Sequence, residues 1–249
     1  MDLQNPDPVE DRWKGICRLA ALAALILFVY SVLTIFILVW LGGAPATVQE
    51  CFDLLQKKRI VALLRLDLLT ILIMPLFGLL YAGLFLALRR DCPGLATIGT
   101  VSALMGVTLV LASASIFSLA YLSDQYAATD NEGRKAMLLA AGEAVVSNDT
   151  WHGMGAKMGG SMLQLAGVLI SVAMLRSTVF GKLTAYSGLV THGLDLLHIF
   201  VGVFWPSAGA LLMFVAGPLY FLWLPLVAIR LNQLGRFGSA STDVIPEAS

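Results

Sequence analysis

Charge is scarce in this chain. Aspartate, glutamate, lysine and arginine make up only 13% of its 249 residues, about half the share of a typical soluble domain. So few charges cannot cover a water-facing surface, which excludes a soluble globular fold. The charges also cancel, with 16 basic against 16 acidic residues, so no strongly basic face exists for nucleic acid. Cysteine is sparse too. Cys17, Cys51 and Cys92 are odd in number and form no CxxC, which excludes a disulfide framework and a metal-type spacing. They read as small buried residues. GxSxG, HExxH and a Cys–His arrangement are also missing. No catalytic residue and no cofactor are therefore assigned.

Apolar length is what the chain has in abundance: 58% of residues are hydrophobic and the mean hydropathy is +0.84. Six runs reach the roughly 20 residues that a membrane-crossing helix needs. They cover about 19–41, 60–88, 95–120, 151–175, 183–204 and 208–231. The fold class is all-α, a six-helix transmembrane bundle in one membrane domain over 19–234. Residues 1–18 read as a polar tail and 235–249 as a disordered one. The first run exceeds the roughly 7–15 residues of a signal h-region, so it is expected to be a retained span.

Two polar insertions interrupt the spans. Residues 46–59 are amphipathic, with Phe52, Leu54 and Leu55 on one face and Gln49, Asp53, Lys57 and Lys58 largely on the other. Residues 121–150 contain Thr129 followed by Glu132, a capping-box spacing that predicts a helix start. Both insertions are expected to be interfacial helices on the outer side. Asn148-Asp149-Thr150 matches a glycosylation sequon, a pattern that often occurs by chance.

Small residues recur every seven positions, as Gly99, Gly106, Ser113 and Ala120 in span three and as Gly153, Gly160 and Gly167 in span four. Gly155 and Gly159 add a GxxxG pair. Such stripes let helix backbones approach closely in lipid, within one chain or between copies in a homo-oligomer. Prolines 75, 218 and 225 lie inside spans and are expected to bend them. Trp205-Pro206-Ser207 reads as a tight hairpin with Ser207 as a helix cap.

Lysine and arginine set orientation. Nine of them, from Arg12 to Arg236, gather on one side and five, Lys57, Lys58, Arg59, Arg134 and Lys135, on the other. Both termini are expected in the cytoplasm of a cell membrane.

Ionisable groups inside spans mark function by default. Span five carries His192, Asp195 and His198, span four Lys157 and Gln164 with His152 at its start, and span two Arg65 and Asp67. On the expected topology, Asp67, His152, Lys157, Gln164, His192, Asp195 and His198 would form a polar pocket open to the outer face between spans two, four and five. Arg65 points nearly opposite to Asp67 and is expected to snorkel. The two span-five histidines are about 9 Å apart along a helix axis, too far for both to grip one metal ion. Metal binding would need one of them with Asp195 and His152. The plainer reading is that Asp195 bonds a histidine or pairs with Lys157 or Arg65 and locks the bundle.

Three stretches, LRLDLL at 64–69, LSDQYAATDNEGRKAMLLAAGEAVV at 122–146 and VAMLRSTVFGKLTAYSGLV at 172–190, together resemble a family of uncharacterised bacterial multi-pass membrane proteins catalogued as a domain of unknown function. The resemblance spans about residues 18–234. It implies a six-helix protein of the bacterial inner membrane and carries no activity or site residue with it. The leading expectation is a non-enzymatic protein whose partners are the lipid bilayer and a small ligand bound at the pocket. The rivals are a small-solute or proton-coupled transporter and a metal- or haem-binding membrane enzyme.

Overall fold

A computed structural model describes residues 8–43, 45–66, 68–148 and 153–236, with side chains from residue 13 onward. Among these residues every regular element is a helix. Helix α1 runs Pro8–Leu41, α2 Val48–Lys57, α3 Arg59–Arg65, α4 Leu68–Leu88 and α5 Pro93–Ala112. They are followed by α6 Ile116–Ala127, α7 Glu132–Val146, α8 Met154–Arg176, α9 Lys182–Phe204 and α10 Pro206–Arg236. Six helical stretches are long and apolar enough to cross a membrane. The chain is an integral membrane protein by that measure.

The spans close into a ring. Helix α1 packs on α4 and α10, α4 on α5, α5 on α8, α8 on α9 and α9 on α10. Short connections join α4 to α5, α8 to α9 and α9 to α10, so these neighbours run antiparallel. The largest buried cluster fills the ring, with Leu27, Leu80, Tyr81, Leu84, Leu163, Ile170, Trp223 and Leu231 among its members.

Several boundaries depart from the sequence reading, each for a local reason. The helix of span one starts at Pro8, not near residue 19, because residues on one face of its first turns pack against α10. Arg18 Nε donates to the Gly235 carbonyl at 2.8 Å. Span two is two helices, since α3 ends at Arg65 and Leu66 leaves the helical region. Span three breaks after Ala112, resumes as α6 at Ile116 and ends at Ala127, seven residues past the expected end. Helix α7 is capped by Asn131, whose side chain accepts from the Arg134 N–H at 3.0 Å. Asparagine matches threonine as a cap, and Thr129 is left to close the turn before it by accepting from the Asn131 N–H. Pro206 opens α10 as its first residue, where its missing N–H costs nothing, so Ser207 lies inside the helix and caps nothing.

The two insertions meet. Val48, Cys51, Phe52 and Leu55 of α2 bury against Leu119 and Ala120 of α6, with Leu139, Val145 and Val146 of α7 packed alongside. Together α2, α3, α6 and α7 form a cap at one end of the ring. The apolar face of α2 is therefore packed on protein. Arg59 reaches both Asp124 oxygens at 3.0 Å. Arg65 does not snorkel outward. Its Nε donates to the Gly43 carbonyl at 2.7 Å and Nη2 lies 3.7 Å from Glu50 Oε1, tying the α1–α2 connection down. Gly42, at φ 86, turns the chain out of α1 in a conformation that favours glycine.

The main contacts of the cap are with α1, α4 and itself. The end of the ring built by α8, α9 and α10 is not among them. Among the described residues, the cap therefore packs on the half of the bundle built by the lower-numbered spans.

Candidate functional site

The polar residues of the spans assemble away from the cap's main contacts, between α8, α9 and α10. Four candidates come together: Gln164 on α8 with His192, Asp195 and His198 on α9. Gln164 Oε1 lies 2.7 Å from His192 Nδ1. Asp195 Oδ1 lies 2.8 Å from His198 Nδ1, at ion-pair distance but without a directed hydrogen bond.

The residue that joins these two pairs comes from α10. The Tyr220 hydroxyl lies 2.8 Å from Asp195 Oδ2 and 2.9 Å from Gln164 Oε1. A continuous chain of contacts results, from His198 through Asp195, Tyr220 and Gln164 to His192. It runs from a rim to a core. The His198 side chain is 26% exposed and that of Asp195 15%, while His192 is 3% exposed.

Depth follows from helix geometry. Measured from the end shared by Met154 and Phe204, and at 1.5 Å per residue, Gln164 is about 15 Å in, Asp195 about 14 Å and His198 about 9 Å. In a hydrocarbon layer of about 30 Å, the Asp195–Tyr220–Gln164 contacts fall near mid-depth, where an unpaired polar group is costly.

Packing holds His192 in place. Its ring meets Trp223 edge-on, with centroids 4.5 Å apart, and Tyr220 at 5.4 Å. A Cβ on Gly167 would come within 2.2 Å of His192 Cγ, so only glycine leaves room for the imidazole. Gly188 makes the same room for Trp223, whose Nε1 would be 2.4 Å from an added Cβ. Tyr81 of α4 closes the inner wall, donating to the Leu163 carbonyl at 3.3 Å.

Of the other candidates, only Lys157 lies among the described residues, and it does not join this cluster. Lys157 is exposed, two turns from Gln164, and Asp195 takes His198 and Tyr220 as partners. Asp67 and His152 lie outside the described residues. Among the described residues, the polar group is built by spans four, five and six. Tyr220 and Trp223 were not among the sequence candidates. Their signal is a hydroxyl-bearing aromatic in mid-span, bracketed by Pro218 and Pro225, since a buried tyrosine hydroxyl needs a partner.

Among the described residues, no three His, Cys, Asp or Glu side chains converge as a metal site would require. The small-residue stripes serve helix packing within the chain. A Cβ on Gly99 would meet Ile170 at 3.0 Å, and one on Gly106 would meet the Gly159 carbonyl at 2.7 Å. At these two glycines the face is occupied by α8. No family model, curated protein or solved structure matches this chain.

Proposed function

We propose that this multi-pass membrane protein works by binding a proton at Asp195, as a sensing protein whose small ligand is the proton itself. The observation that supports this is the contact chain His198–Asp195–Tyr220–Gln164–His192, which leads from a half-buried rim to a sealed core. A carboxylate and an imidazole held within the membrane are a proton site in their chemistry. The expected cytoplasmic termini would make the cap and the rim histidine face outward. The resemblance to uncharacterised bacterial membrane proteins fits a place in the inner membrane.

The test is infrared difference spectroscopy on the full chain in lipid vesicles, between about pH 2 and about pH 9, a range that extends to both sides of the ordinary carboxyl and imidazole values. A carboxylic-acid C=O band that grows with acid and is missing in Asp195→Asn supports the reading. A spectrum with no Asp195-dependent band overturns it.

A proton-coupled transporter is the second reading, and α10 is what favours it. Pro218 and Pro225 lack the N–H groups that would bond the Phe214 and Phe221 carbonyls, loosening the helix on both sides of Tyr220. Collapse of an imposed pH gradient in vesicles, lost in Asp195→Asn, would select transport over sensing.

A further inference from the structure

Each helix of the ring turns one stripe toward its middle, and two of these stripes can be followed from end to end. In α1 the buried positions Ala20, Ala24 and Leu27 recur at helical spacing, and the same spacing carries the stripe on to Ser31. Two neighbours fix its direction. Phe28 meets Phe221 of α10 edge-on at 5.8 Å, and the Tyr30 hydroxyl meets Thr70 Oγ1 of α4 at 2.6 Å. Ser31 lies between those two directions and so faces the middle of the ring. In α9 the buried stripe of Gly188, Thr191 and His192 continues through Asp195 and His198. Leu197 points the other way, toward lipid, and is 51% exposed.

Burial along the stripes changes within about one turn. Away from the cap, Leu27, Leu80, Leu84, Ile170, Val227 and Leu231 are at most 1% exposed. Tyr81 tops this apolar plug, reaching from α4 to the Leu163 carbonyl of α8. Toward the cap end, Ser31, Thr34, Thr70, Asp195, His198 and Tyr220 continue the stripes but are only half-buried. The chemistry changes at the same level, from aliphatic groups to hydroxyls, a carboxylate and an imidazole. Hydrocarbon would leave the uncovered donors and acceptors of such groups unpaired, so they call for water.

We propose that the cap-end half of the ring interior is a water-filled vestibule, closed at its floor by Tyr81 and Trp223, and that Asp195 exchanges its proton with the solution on the cap side alone. The exchange deepens the proton-binding reading and rests on it, whereas the vestibule stands without it. When the proton leaves, the carboxyl O–H bond breaks and a vestibule water takes the proton as hydronium. The titratable and charged groups around Asp195 are His192 and His198 on α9, Tyr220 on α10 and Tyr81 on α4. Tyr30 of α1 lies on the far wall, and Lys157 of α8 is exposed two turns above Gln164 on the same side of its helix. With its floor closed, the site would follow the pH of one compartment and ignore the other.

The experiment labels the full chain with a charged, membrane-impermeant methanethiosulfonate, in membrane vesicles of each orientation, with rates read above those of the unsubstituted chain. The thiolate is the reacting form and needs water around it. Ser31→Cys and His198→Cys should therefore react about tenfold or more faster than Ser171→Cys in the plug and Leu197→Cys on the lipid face. The Leu197 comparison matters because that position is more exposed than His198 yet faces lipid. Ser31→Cys should react in the vesicles where Met137→Cys on the cap reacts, and stay protected where Arg176→Cys at the opposite end does. Slow labelling at both Ser31→Cys and His198→Cys overturns the vestibule and leaves proton binding at Asp195 standing. Fast labelling of Ser171→Cys overturns the closed floor. Fast labelling at Ser31→Cys with no Asp195-dependent acid band supports the vestibule and overturns proton binding alone. The two serine variants each exchange a single atom, so the comparison decides even where His198→Cys fails to fold.

Discussion

Helix α8 has two faces, and glycine does opposite work on them. Toward α5, Gly159 and its partner Gly106 let two backbones touch. A Cβ on either would fall 2.7–2.9 Å from the other's carbonyl oxygen. Toward α9, Gly167 opens a notch for an imidazole, and its missing Cβ would be 2.2 Å from His192 Cγ. The first face is dry and made of small residues. The second is hydrogen-bonded and made of large ones. In lipid there is little hydrophobic gain in bringing helices together, so close packing and polar bonds must hold them. This protein assigns one device to each side of the same helix.

The largest way to break this comparison is on the dry face. Gly106→Leu drives a side chain against the Gly159 carbonyl and the Leu163 backbone, where no rotamer change makes room. Overpacking of this kind costs about 1–3 kcal/mol. We expect the thermal transition in detergent to fall accordingly, and an unchanged transition would show that the two helices can separate freely.

The polar face should respond differently, because a side chain can be removed to restore the space. Gly167→Ala alone is expected to lower the transition by a similar or smaller amount. Combining it with His192→Ala should recover part of the loss, giving a coupling energy between about 0.5 and 3 kcal/mol. Strictly additive losses would show that Gly167 is not there for the imidazole.

The smallest effect is expected in the cap, which uses ordinary apolar burial. Burial, and after it the Glu50 charge, pushes the Cys51 thiol from 9.0 up to about 11. Its folded value is raised, so the stability it contributes is full below pH 9 and is lost as pH rises through about 11. Thiol labelling of Cys51 should stay slow at neutral pH and accelerate only in that alkaline window. Fast labelling at neutral pH would place α2 off the cap.

Much of this was legible before any coordinates. Helical spacing placed Gln164 on the inner side of span four, and scarcity of charge singled out His192, Asp195 and His198. The stripes of small residues also read correctly as helix contacts. Tyr220 did not stand out, because an aromatic in an apolar span is equally at home facing lipid. Thr129 misled because the capping-box spacing it makes with Glu132 competes with an asparagine two residues on that caps just as well.

What the sequence determined alone was the solvent and the element type. With charge at half the usual share, the chain can be stable only in lipid, and in lipid only internally bonded helices and closed barrels satisfy the backbone. Its six long apolar runs select helices. Which helices meet was decided by tertiary structure. The closed ring puts α10 between α9 and α1, from where Tyr220 reaches across to Gln164 of α8, and no local pattern encodes that choice. Contacts between residues as distant as Gln164 and Tyr220 come from how six faces share one interior, and that packing turned isolated polar residues into a continuous chain.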